Sequence, residues 1–158
     1  MAEGQKHVPP AGRLAGIDYG TVRIGIALTD MERRLASPYE NYNRRTRLLD
    51  GEYFARLARD EHVAAFVVGL PIHLDGRESQ KSAEARTFGN WLETTTGVPV
   101  IYFDERFTSA EAEQLLGQAQ LSKKKRKARL DKLAAQIMLT AFLEAGNNQG
   151  SAVQGLED

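Results

Sequence analysis

Apolar residues fall in short runs with turn residues between them, and their spacing alternates between strand-like and helix-like. Residues 13–18 and 24–30 are apolar runs separated by Tyr19-Gly20-Thr21, which predicts a strand, a tight turn and an antiparallel return strand. A third strand is predicted over 35–41. From 47 to 61, Leu48, Leu49, Tyr53, Leu57 and Ala58 recur at helical spacing. Residues 64–70 are apolar and rich in Val, the mark of a strand covered on both faces. A second helix is predicted over 79–95, apolar at Ala83, Phe88, Trp91 and Leu92 and ended near Gly97. A fifth strand follows over 98–103, then helices over 109–118 and 128–145. The order β-β-β-α-β-α-β-α-α, a meander followed by βα units, predicts an α/β fold: a mixed five-stranded sheet with helices on both faces.

Composition narrows this picture. With 158 residues the chain is one domain's worth. Residues 1–12 and 147–158, rich in Gly, Pro, Asn and Gln, read as flexible tails around a domain spanning 13–146. The absence of Cys excludes disulfides, thiolate metal sites and a Cys nucleophile. No apolar run approaches the roughly 20 residues that cross a bilayer. The first residues lack the apolar centre of a signal peptide. The expectation is a cytoplasmic protein with no membrane partner. Its 21 basic and 21 acidic residues cancel, so no bulk attraction draws it to nucleic acid. The cations are unevenly placed, however: Lys123, Lys124, Lys125, Arg126 and Lys127 form an unbroken block, a candidate phosphate-binding segment.

Three acidic positions carry candidate chemistry. Asp18 ends the first strand, and Asp104-Glu105 ends the fifth. Asp131 lies early in the last helix, sharing a side with Ala134, Ala135, Met138 and Phe142. The small alanines let that helix approach the sheet. Ligands gather beyond the carboxyl ends of strands in open α/β sheets. Asp18 and Asp104/Glu105 are expected to meet there if their strands are parallel neighbours. Carboxylates from separate elements suit hard divalent ions such as Mg²⁺ or Mn²⁺, which serve phosphodiester hydrolysis. Arg23 and Arg106 each follow an acidic strand end and suit phosphate contact. Singly each feature has an ordinary reading: a turn cap for Asp18, a helix-start signal for Asp104-Glu105, a dipole acid for Asp131, a solvated loop for the lysines. His73 reads as structural or exposed, and Trp91 with Phe88 as helix core rather than a base-stacking platform.

These residues resemble the RuvX/YqgF family, whose members are described as Holliday junction resolvases and as pre-16S rRNA nucleases. The resemblance is carried by Gly16-Ile17-Asp18-Tyr19-Gly20 with Arg23-Ile24-Gly25, and by Val68-Gly69-Leu70-Pro71 with Asp75-Gly76. Asp104-Glu105-Arg106 with Thr108 follows, then Asp131 with Ala134-Ala135. It implies a ribonuclease H-like fold and a metal-dependent nuclease using Mg²⁺ or Mn²⁺, with Asp18, Glu105 and Asp131 as catalytic metal ligands. Asp104 is kept as an extra ligand or a neighbour of the ligands. Thr108 joins Arg23, Arg106 and the basic block as expected substrate contacts. Two positions depart from the family pattern: Ser109 stands where a second Thr is usual, and His73 where Asn is typical.

The leading reading is a nuclease in 5′-end processing of pre-16S rRNA. One alternative is a Holliday junction resolvase in DNA recombination and repair. Another is a non-catalytic nucleic-acid-binding module. A third, an ATP-binding protein of the actin/sugar-kinase type suggested by Asp18-x-Gly20-Thr21, needs two domains and so a longer chain. RNA is preferred over junction DNA because no extended apolar dimer stripe is evident and a resolvase must make two symmetric cuts. The chain is expected to be a monomer or a weak homodimer.

Overall fold

The computed structural model describes residues 8–73, 75–105 and 133–146. Five strands, β1 (Arg13–Asp18), β2 (Arg23–Thr29), β3 (Ala36–Asn43), β4 (Val63–Leu70) and β5 (Val100–Asp104), form one sheet in the order β3-β2-β1-β4-β5. The meander β1-β2-β3 is antiparallel, whereas β4 and β5 run parallel to β1. Helices α1 (Arg47–Asp60) and α2 (Gln80–Thr96) supply the crossovers. The mixed five-stranded sheet is the architecture that the hydrophobic pattern predicts. The predicted helix over 109–118 and the start of the one over 128–145 lie outside the described residues, as do residues 1–7 and 147–158.

Strand alternation divides the sheet into two faces. Ala15 and Ile17 of β1, Ile24, Ile26 and Leu28 of β2, and Phe66 and Val68 of β4 turn toward α1 and α2. There they pack with Phe54, Leu57, Phe88 and Leu92. Phe54 is fully buried and meets Phe66 and Phe88 edge-on, at ring separations of 6.2 and 5.8 Å. The opposite set, Leu14, Ala27, Ala65, Val67 and Ile101, is covered by Ala135, Met138 and Leu139 of the C-terminal helix, described over 133–146. Having partners on both sides, β4 is buried from Ala65 to Leu70, which is why its sequence is continuously apolar.

Local signals fix the helix starts. Thr46 caps α1 by accepting from the Leu49 N–H at 3.2 Å, and Ser79 caps α2 by accepting from Ser82 at 3.1 Å. The strand β3 runs two residues past its predicted end because Tyr42 pairs with Ile24 and is buried. Its polar neighbours Asn41 and Asn43 hide that continuation from the hydrophobic pattern.

Candidate active site at the carboxyl ends of the parallel strands

Because β1, β4 and β5 are parallel, their carboxyl ends emerge on one edge of the sheet, carrying Asp18, Leu70 and Asp104. One expectation needs correction: β1 and β5 are parallel but not neighbours, since β4 lies between them. Between the two acid-bearing strand ends stands Gly69 of β4, and its missing side chain leaves room above that strand.

The register shows how. Ile17 pairs with Val68, so the next residues up are Asp18 and Gly69; Gly69 in turn pairs with Phe103. By alternation Asp18 shares the face of Leu14 and Gly16, and Gly69 that of Ala65 and Val67. The Glu105 carboxylate lies against Gly69: a Cβ at that position would collide with Oε1 and approach Cγ and Cδ to 3.0 Å. The missing side chain is the room through which Glu105 reaches toward the row occupied by Asp18. Gly25, paired with Asp18 from the other side, contributes no side chain to that flank. Asp104, opposite Leu70, alternates with Phe103 toward the α1–α2 face. Thus Glu105, rather than Asp104, shares the face of Asp18.

A second close approach seats the cover of this face. A Cβ on Gly16 would lie 2.9 Å from Leu139 Cβ and 3.2 Å from the Ala135 carbonyl, so the C-terminal helix rests directly on the strand that Asp18 ends. Arg23 stands two residues before Gly25, on the same face by alternation, and is half-buried.

Burial pushes the Glu105 carboxyl above the usual Glu range. The Lys81 ammonium pulls it partly back, and the charge of Asp104 raises it further. An acid held where its charge is poorly solvated gains when a cation arrives, and two oxygen donors on one face suit a hard divalent ion. In this respect Asp18 and Glu105 fit a magnesium or manganese ion. Among the described residues there is no group of three or more His, Cys, Asp or Glu residues close enough to hold a metal. Asp131, Arg106, Thr108, Lys123, Lys124, Lys125, Arg126 and Lys127 lie outside the described residues. His73 is exposed in a loop where its N–H donates to the Arg77 carbonyl at 2.9 Å.

One constellation has no counterpart in the sequence reading. Asp50, in the first turn of α1, is buried and accepts from the Tyr42 hydroxyl at 2.7 Å and the Arg45 N–H at 2.8 Å. Arg44 Nε stands 3.7 Å away, while Arg44 Nη1 donates to the Tyr19 hydroxyl at 3.0 Å. This network ties the start of α1 to the turn after Asp18. The clustered arginines of Asn43-Arg44-Arg45-Thr46-Arg47 were its only sequence trace.

The chain is similar to known proteins. A profile of the RuvX family, described as Holliday junction resolvase, matches residues 12–145. A Rhodopirellula baltica protein named "Putative pre-16S rRNA nuclease" is 51% identical over 151 residues, covering 95% of this chain and 87% of that protein. A Neisseria gonorrhoeae protein of the same name is 39% identical over 140 residues, covering 89% and 93%. The fold is also that of more distant solved structures. Thermus thermophilus RuvC bound to a Holliday junction matches with a TM-score of 0.53 at 16% identity, over 85% of this chain and 96% of that one. The yeast mitochondrial resolvase Ydc2 matches with 0.51 at 11% identity, over 89% and 81%. The sheet order and the strand-end carboxylates thus sit on a ribonuclease H-like fold, and the chain belongs to the RuvX family.

Proposed function

We propose that this protein is a divalent-metal-dependent nuclease that hydrolyses phosphodiester bonds in 5′-end processing of pre-16S rRNA. The observation that carries it is the placement of Glu105 over Gly69, on the face and beside the row of Asp18. Family membership and relatives named for pre-16S rRNA support the choice of substrate. Asp18 and Glu105 would hold the ion, with Asp131 as third ligand. Asp131 stands four residues ahead of Ala135 in the sequence, and Ala135 packs on Gly16. When bound, magnesium or manganese supplies Lewis-acid stabilisation of phosphate charge and activation of water. The chain's own residues do the rest. Asp18 and Glu105 set the position of the site relative to the sheet edge. Gly69 leaves room for the Glu105 carboxylate, and Gly25 adds no side chain of its own beside Asp18. Arg23 offers a planar cation on the same face for a phosphate oxygen. Arg106, Thr108 and the basic block Lys123 to Lys127 complete the proposed substrate contacts, and Asp104 acts on Glu105 through its charge.

The test is cleavage of matched pre-16S RNA and four-way-junction DNA with Mg²⁺, Mn²⁺ or Ca²⁺. RNA trimming with the first two and little turnover with Ca²⁺, whose looser coordination positions water poorly, is expected. Preferred paired cleavage of the junction would instead establish the resolvase reading. Full activity in excess chelator would remove the metal mechanism.

A further inference from the structure

The face carrying Asp18 and Glu105 is not the only one adjoining the β1–β2 turn. Tyr19 packs toward α2, its ring 5.2 Å from that of Phe88. With Arg44, Arg45, Arg47 and Trp91 these rings line a pocket of about 480 Å³. Arg44 is fixed: its guanidinium lies 5.3 Å from the Tyr19 ring centre and 5.7 Å from that of Phe88, and it faces the buried Asp50. Arg45 and Arg47 differ. Both are exposed, and neither makes an ion pair with a described acid. The Arg47 guanidinium lies 5.9 Å from the half-buried Trp91 ring, and Arg45 lies 5.7 Å from the Tyr42 ring centre, donating to its hydroxyl at 3.4 Å. Three cations line the pocket against two acids, Asp50 and Glu84, and Asp50 is already answered by Tyr42, Arg44 and the Arg45 N–H.

Planar cations beside aromatic rings offer a phosphate contact and a face for a nucleobase at once. The pocket adjoins the proposed active site through the peptide bond joining Asp18 to Tyr19. We propose that it seats the single-stranded flank of the nucleic-acid substrate, with a phosphate held by Arg45 and Arg47 and a base against Trp91. The proposal rests on the nucleic-acid reading above. It assigns Trp91 a role beyond helix packing and makes the β1–β2 turn the ridge over which the strand crosses to the face of Asp18.

Trp91 is the only tryptophan in the chain, so its fluorescence reports this pocket directly. Full-length Asp18→Asn protein in Mg²⁺ buffer is titrated with a fluorophore-labelled single-stranded RNA for anisotropy, and with unlabelled RNA for tryptophan emission. Saturable quenching that tracks the anisotropy is expected. In Arg45→Gln/Arg47→Gln protein the Kd should rise about tenfold. Its slope of log affinity against log salt should flatten by about 0.7, the contribution of the one phosphate the two arginines share. Binding without a change in emission, and with unaltered affinity and slope in the double variant, overturns the pocket. Equal quenching by ATP at the same Kd also overturns it, because a mononucleotide site would need no strand. Wild-type cleavage is measured in parallel. Quenching and binding without cleavage would sink the nuclease reading and leave the pocket standing. Cleavage with silent Trp91 would do the reverse.

Discussion

At the residue scale the site depends on a glycine as much as on its acids. Gly69→Ala would place a methyl where Glu105 Oε1 lies, with no relief from Cγ and Cδ at 3.0 Å, so the carboxylate must swing away. Cleavage should fall at least about a hundredfold, as losing several kcal/mol of charge stabilisation implies. The fold should survive, because the strand itself needs only a small adjustment. Wild-type kcat in this variant would detach Glu105 from the chemistry. A second expectation concerns pH. The ordinary Glu value is 4.5 and burial raises it, so the native state keeps a proton that the unfolded chain has released. The stability tied to that proton is complete below the unfolded value and is lost as pH rises through the folded one. Above the folded value the metal-free protein therefore carries a buried, ionised carboxylate. Glu105→Gln should melt at a higher temperature than wild type in chelator at neutral pH, the difference closing below about pH 4. Identical melting curves at neutral pH would show that burial does not strain Glu105.

At the element scale, what the sequence revealed and what it concealed have separate physical causes. Every described strand and helix was legible because each carries its own period and its own stop signals. Gly97 and the caps Thr46 and Ser79 are of this kind. Strand order is not written in any local pattern, so the insertion of β4 between the two acid-bearing strands was invisible. The residues alone left Asp104 and Glu105 together; only the resemblance favoured Glu105, and the register puts that residue on the face of Asp18. The network that docks α1 was hidden because no local period links its members: Tyr19 and Arg44 are 25 residues apart, and Tyr42 and Asp50 lie on different elements. Asp50→Ala should cost about 3 kcal/mol, because it leaves the Tyr42 hydroxyl and the Arg45 N–H without their acceptor and Arg44 without its counterion. Urea unfolding measures this. A shift below about 0.5 kcal/mol would mean that the aromatic packing of Tyr42 on Tyr53 and Phe54, not the acid, holds the helix.

At the scale of the whole molecule, 21 positive and 21 negative charges give no long-range pull on a polyanion. Affinity for a phosphate chain must come from local cations, and the densest set in the sequence is Lys123 to Lys127, a few residues ahead of Asp131. Lysine makes point-charge contacts without base preference, so this block should add affinity and not sequence choice. If all four lysines touch phosphates, replacing Lys123, Lys124, Lys125 and Lys127 by Ser should lower the salt slope on single strands by up to about 2.8, four times about 0.7. Binding at low salt should weaken in proportion. Turnover at saturating substrate should fall far less than in Asp18→Asn, since the acids remain in place. Salt-dependent titration separates this from the ordinary reading of a solvated loop, under which affinity and slope would both stay at their wild-type values. Because the wild-type chain is neutral with the block counted in, its own salt slope carries no diffuse basic background. A slope unchanged by the quadruple variant would leave Arg23 and the arginines before α1 as the remaining cations to test.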